Sequence, residues 1–247
     1  MSQSFHGSKR HLKDQAINAI TIVSEIGPTT LFITLTCNPL WPENQEALLP
    51  GQSAFDRPDV VCRVFKNRLS AFLKNLRAGK YFKHKVVYEI HVIEYQHRGL
   101  PHCHLAFKLA DVPAANDIAA ASEWIDNNIS AKMPILVDES TEDDIRSAEL
   151  VTDHMVHKCA TAVNGCLNDE GVCSKGYQKK VICPHTTFDE KGMPIYQRLN
   201  VADLLVVPHN RGALLDWGGH INVEWAATTH AVLYLYKVSV AYYYILN

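Results

Sequence analysis

Residues 86–93 alternate in the manner of a strand and are rich in β-branched side chains, and residues 102–107 form a second short apolar run. Gly99 and Pro101 lie between them, so the pair reads as a hairpin. Upstream, residues 13–25 carry Ala16, Ile17, Ile20, Ile22 and Val23 at helical spacing, ended by Gly27 and Pro28. Residues 31–36 predict a short strand stopped by Asn38 and Pro39, and residues 41–57, with proline, glycine and no sustained period, predict a loop. The clearest helix spans residues 59–76, with Val60, Val61, Val64, Phe65, Leu69, Phe72, Leu73 and Leu76 along one side and Gly79 closing it. Residues 116–127 and 142–157 read as further helices, and 194–199, 204–207 and 220–225 as strands. Residues 229–244 are nearly all apolar or tyrosine; they suit a buried helix, whose end, 238–244, equally suits a strand. The order strand, helix, strand, strand predicts an α+β fold, a central antiparallel sheet flanked by helices and related to the split βαβ arrangement.

With 247 residues and 47% hydrophobic content, the chain can bury a sizeable core, and a single domain over 1–247 is expected. The polar N-terminal stretch has no apolar run behind it and no segment approaches membrane-spanning length, so an intracellular protein without a membrane partner is expected. Seven cysteines, an odd number, favour reduced thiols or metal ligands over a disulfide framework.

The net charge of −2 argues against a nucleic-acid binder until its distribution is considered. Residues 60–88 hold Arg63, Lys66, Arg68, Lys74, Arg77, Lys80, Lys83 and Lys85 and no acid, whereas Asp138, Glu139, Glu142, Asp143 and Asp144 cluster elsewhere. Screening over about 8 Å lets a phosphate backbone feel the local patch more than the distant total. Arg63, Lys66, Lys74, Arg77, Lys80 and Lys83 are therefore the candidate DNA contacts.

Two candidate metal sites stand out. On a strand, His102 and His104 project from one face while Cys103 points away, and Glu94, at the end of the preceding strand, is close enough to add a carboxylate, with Gln96 as its substitute. The second is a Cys/His-rich insertion at about 154–183, where His157, Cys159, Cys166 and Cys173 suit a small zinc staple. No Cys-x-x-Cys pair occurs there, so spacing alone favours free buried thiols. His220 and Asn222 share a strand face, which suits either a polar role near the site or a structural hydrogen-bonded pair.

The run Glu94-Tyr95-Gln96-His97-Arg98-Gly99-Leu100-Pro101-His102-Cys103-His104 resembles the metal motif of the HUH single-strand endonucleases, in which two histidines flank a hydrophobic residue. More narrowly, the chain resembles the replication-initiator domain of Helitron rolling-circle transposases. Leu31-Phe32-Ile33-Thr34-Leu35-Thr36-Cys37-Asn38-Pro39 with Trp41-Pro42-Glu43 is similar to that family's first motif. Arg57-Pro58-Asp59, Ser174-Lys175-Gly176-Tyr177, His220-Ile221-Asn222-Val223-Glu224 and Tyr234-Leu235-Tyr236-Lys237 follow in the family's order.

The resemblance implies an HUH fold and a metal-dependent, tyrosine-type domain that nicks and joins single-stranded DNA in a nuclear transposition reaction. It implies Mg2+ or Mn2+ held by His102, His104 and Glu94, where imidazole chemistry by itself suits zinc or another transition metal, and Tyr234 as the nucleophile that takes the 5′ phosphate. Lys237, three residues on, is by helical spacing a neighbouring positive charge or, equally, a snorkelling surface lysine. One departure matters: the family carries a second tyrosine four residues after the first, and here that position is Val238. The helicase that follows this domain in full transposases has no room before Asn247, which suggests a truncated or decayed copy. The competing expectation is a non-catalytic single-strand DNA-binding remnant. A third, a structural zinc module with no DNA role, predicts bound zinc without salt-dependent DNA affinity.

Overall fold

The computed structural model describes residues 9–95, 99–159, 166–177, 180–226 and 241–245. It is an α+β protein whose main sheet has five strands in the order β6-β1-β3-β2-β7, antiparallel throughout. These are β1 (Leu31–Thr36), β2 (Val86–Tyr95), β3 (Pro101–Leu109), β6 (Ile221–Trp225) and β7 (Ala241–Ile245), while β4 (Thr187–Phe188) and β5 (Pro194–Ile195) form a separate small hairpin. The helices are α1 (Lys9–Ile26), α2 (Pro42–Glu46), α3 (Pro58–Arg77), α4 (Ile118–Asn128), α5 (Glu142–Leu150) and α6 (Arg211–Trp217).

Where the sequence suggests one domain, contacts divide the chain into two compact units: Met1–Val112 with Asp216–Asn247, and Pro113–Leu215. The first unit contains the five-stranded sheet, and β3 lies at its centre, hydrogen-bonded to β1 on one side and β2 on the other. With its backbone paired on both edges and elements packed on both faces of the sheet, β3 is buried along almost its whole length.

Directly paired residues in an antiparallel ladder share a face. Phe32, Ala106, Ile90, Val92 and Tyr88 therefore point to one side, where Ala19 and Val23 of α1 close a core cluster with them. The other side carries Glu89, Cys103 and Phe107, and α3 lies against it: Arg77 bonds the Glu89 carboxylate and Phe82, just beyond α3, meets Phe107 at 5.9 Å. Gly79 ends α3 with a φ of 74°, the left-handed conformation a side chain disfavours.

The stretch expected to be a loop at 41–57 contains α2 and a short 3-10 turn, Ala54–Asp56. Pro42 at the first helical position makes the short helix possible, since its missing N–H would have no partner there anyway. Trp41 packs edge-on against Trp217 at 5.1 Å and donates from its indole N–H to the Gly218 carbonyl at 2.9 Å. Arg68 sits over the Trp41 ring and bonds the Glu43 carboxylate, so the Trp41-Pro42-Glu43 motif forms a clamp between α2, α3 and Trp217.

In the second unit, Glu142, Asp143 and Asp144 fill the first turn of α5, where the helix dipole favours acids. Thr141 and Asp144 complete a capping box. Much of the acidic cluster thus starts a helix. After Leu150 the chain winds through a π-helical turn, Val151–Met155, so the helix expected over 142–157 is shorter and irregular. The strand expected at 194–199 shrinks to β5, and residues 201–205 form a 3-10 helix because Asn200 caps it through Asp203. The buried Arg198 guanidinium donates to the Ala131 and Asp203 carbonyls and draws these segments together.

Of the ambiguous segment 229–244, residues 241–244 are strand, part of β7 and paired with β2. Residues 227–240 lie outside the described residues.

Candidate metal centre

Strand register brings His102 and His104 beside two residues whose part no local pattern announces. Thr36 lies opposite His102 and Thr34 opposite His104, all on one face of the sheet. Thr34 Oγ1 is 3.0 Å from His104 Nδ1, and Thr36 Oγ1 is 3.0 Å from His102 Nδ1. Thr36 Oγ1 also meets His220 Nδ1 at 3.2 Å, so of the two readings for His220 the structure favours a place at this site. One hydroxyl can serve two rings by accepting from one and donating to the other, or by accepting from both. When His102 Nδ1–H donates to Thr36, His102 Nε2 is left with its lone pair exposed to a ligand.

The two rings meet edge to face at 4.6 Å, and both histidines are almost fully buried. Burial, with His104 and His220 nearby, pushes the His102 pKa down to about 3, so the ring is neutral and basic-nitrogen chemistry is available throughout the neutral range. Glu94 lies opposite His102 across the β2–β3 ladder, and its Oε1 is 3.4 Å from His104 Nε2. That oxygen is buried without a hydrogen bond, and burial raises the carboxyl pKa. A divalent cation would answer that unmet acceptor, and two imidazoles with a carboxylate form a suitable donor set. Gln96 and His97 lie outside the described residues, as do Tyr234, Lys237 and Val238.

The basic run is organised differently from its sequence. Arg63 pairs with Asp59, Arg68 with Glu43, Arg77 with Glu89 and Lys80 with Asp216. No ion pair occurs at Lys66, Lys74 or Lys83 among the described residues. The helix α3 that carries most of these cations packs on the sheet face opposite His102 and His104.

In the second unit, His157, Cys159, Cys166 and Cys173 each bring a ligand atom within 4.8 Å of all the others. Cys166 Sγ and Cys173 Sγ are 3.3 and 3.4 Å from His157 Nε2.

The buried imidazoles make the fold acid-sensitive. His91 is held down to about 4, chiefly by burial and then by Arg77, and His102 to about 3. Both folded values lie below the unfolded histidine value of about 6.5, so between those limits the unfolded chain binds more protons. Stability from neutral burial is complete above about pH 6.5 and is lost as pH falls toward the folded values, by on the order of 3 kcal/mol for each of the two histidines at pH 4. Urea unfolding followed by tryptophan fluorescence at pH 7 and pH 4 checks this; equal midpoints would contradict it.

Residues 1–107 match the family model described as Helitron helicase-like domain at N-terminus. The matched stretch covers α1 to most of β3, including Thr34, Thr36, Glu94, His102 and His104. No curated protein matches the chain. Among the described residues, no helix is long and apolar enough to cross a membrane.

Proposed function

We propose that the chain is a metal-dependent HUH-type endonuclease and strand transferase acting on single-stranded DNA in a Helitron-like transposition reaction, in the cell compartment that holds the DNA. The observation that carries this reading is the unmet Glu94 oxygen beside His104 and His102, two imidazoles whose other nitrogens are tied to Thr34 and Thr36. The family match over residues 1–107 supports the same reading.

A phosphodiester carries negative charge that repels a nucleophile, so cleavage needs charge neutralisation and a positioned attacking group. His102, His104 and Glu94 would hold Mg2+ or Mn2+, which when bound would supply the charge neutralisation. The chain's own residues do the rest. Thr34 and Thr36 fix the orientation of both imidazoles, and the β3 centre strand keeps their spacing rigid. Tyr234 attacks the phosphorus through its phenol oxygen, the bond to the 3′ oxygen breaks, and the 3′ hydroxyl leaves with a proton. An ordinary tyrosine is only about one part in a thousand ionised at neutral pH, a deficit of roughly 4 kcal/mol that the Lys237 ammonium helps to offset. Lys66, Lys74 and Lys83 supply phosphate contacts away from the metal site, since α3 lies on the opposite face of the sheet, and Arg63, Lys80 and Arg77 are already in ion pairs.

The test incubates the chain with single-stranded oligonucleotides of randomised sequence and Mn2+ or Mg2+, then maps DNA-linked peptides by mass spectrometry. A 5′-phosphotyrosine at Tyr234, absent in Tyr234→Phe and in the presence of EDTA, is the expected result. An adduct at Tyr236 or Tyr242 with Tyr234 unmodified would overturn the assignment of the nucleophile. Salt-dependent DNA binding without any adduct would favour a non-catalytic DNA-binding remnant.

A further inference from the structure

The segment after the π-helical turn brings together donors of a different kind from those on the sheet. Cys166 and Cys173 sit at the two ends of a tight hairpin: Ser174 N–H donates to the Cys166 carbonyl at 2.7 Å, and Leu167 bridges Cys173. The hairpin turns on Asn168, whose side-chain oxygen accepts from Glu170 and Val172 N–H, with Gly171 at φ 75°. His157 is carried to the thiols by a separate anchor, its N–H donating to the Leu205 carbonyl at 2.8 Å beside the Val156–Val206 bridge. Its ring lies flat on Tyr177, 4.1 Å between centroids, which sets the direction of Nε2. Cys159 follows two residues later, and no disulfide joins the cysteines.

The distances suit one ion. In a tetrahedron with Zn–S of about 2.3 Å and Zn–N of about 2.05 Å, sulfur and nitrogen ligands stand about 3.5 Å apart. The two observed separations of His157 Nε2 from Cys166 and Cys173 are 3.3 and 3.4 Å. Three soft thiolates and one imidazole match zinc and match magnesium or manganese poorly. Four protein ligands also leave no open position for water or substrate, the mark of a structural site.

We infer that His157, Cys159, Cys166 and Cys173 bind a structural zinc ion that clips the 166–173 hairpin to the 157–159 stretch, which is anchored at Leu205. The site is independent of the sheet imidazoles in ligand chemistry and in role. Zinc binding displaces the thiol protons to solvent, so occupancy falls in acid.

The test uses the full chain purified from zinc-supplied medium without chelator. Elemental analysis should give about one zinc per chain. Exchange with Co2+ should give the visible bands of a tetrahedral site and near-ultraviolet thiolate-to-cobalt charge transfer. His157→Cys should keep the metal and raise that charge transfer by roughly one third, as a fourth thiolate joins three. Cys166→Ala with Cys173→Ala should abolish the tetrahedral spectrum, and His102→Ala with His104→Ala should leave it unchanged. A zinc-free chain, a disulfide within the cluster in the freshly purified protein, or a cobalt spectrum lost with His102 and His104 in place of the cysteines would each overturn the inference.

Discussion

Replacing His102 and His104 together by alanine lowers metal-dependent nicking by on the order of a thousandfold, the scale on which loss of charge stabilisation at a reacting phosphate acts. Single-strand affinity changes little, because phosphate contacts by lysines do not require the ion. The distinguishing variant is Thr36→Val. It leaves both imidazoles in place but removes the hydroxyl that joins His102 Nδ1 to His220 Nδ1. Metal affinity then falls by about 10- to 100-fold, the usual effect of losing a partner behind a metal-bound histidine, and Thr36→Ser restores most of it. Calorimetric Mn2+ titration and an oligonucleotide nicking assay measure the two effects. Full cleavage by the double alanine variant would remove the sheet imidazoles from the chemistry altogether.

The second large effect is on stability. Arg77→Ala destabilises the fold by about 3–5 kcal/mol, because it leaves the Glu89 carboxylate, which has no exposed surface, without its cationic partner. Arg77 grips that carboxylate with two nitrogens, Nε to Oε2 at 3.0 Å and Nη2 to Oε1. Lysine cannot reproduce the fork, so Arg77→Lys recovers only part of the loss. Arg77→Met combined with Glu89→Leu comes back close to the parent chain, since no buried charge remains. Urea unfolding of the three variants reads this directly. If Arg77→Ala instead weakens DNA binding at unchanged stability, the guanidinium serves phosphate and the pairing with Glu89 is incidental.

Arg77 also shows the reach of reading from sequence. Residues 60–88 contain eight cations and no acid, a correct local count that nonetheless misleads about free charge. Glu89 lies one residue past that window, while Glu43 and Asp216 are supplied from distant positions. Charge neutralisation between remote segments leaves no trace in a window along the chain, and neither does the sheet face on which a helix will lie.

Local pattern was enough for the hairpin around Gly99 and Pro101, the shared face of His102 and His104 with Cys103 turned away, and the long amphipathic α3. Strand alternation and helical spacing are properties of neighbouring residues, so they are legible one segment at a time. The crowding of His157, Cys159, Cys166 and Cys173 was visible as composition, but their convergence was not, because no compact spacing motif joins them. Tertiary structure alone decided that Thr34 and Thr36 stand behind the imidazoles, that His220 joins them, and that α3 lies on the far face of the sheet. Register between strands 70 residues apart fixes those partners, and a one-residue slip would have sent both threonines to the other face.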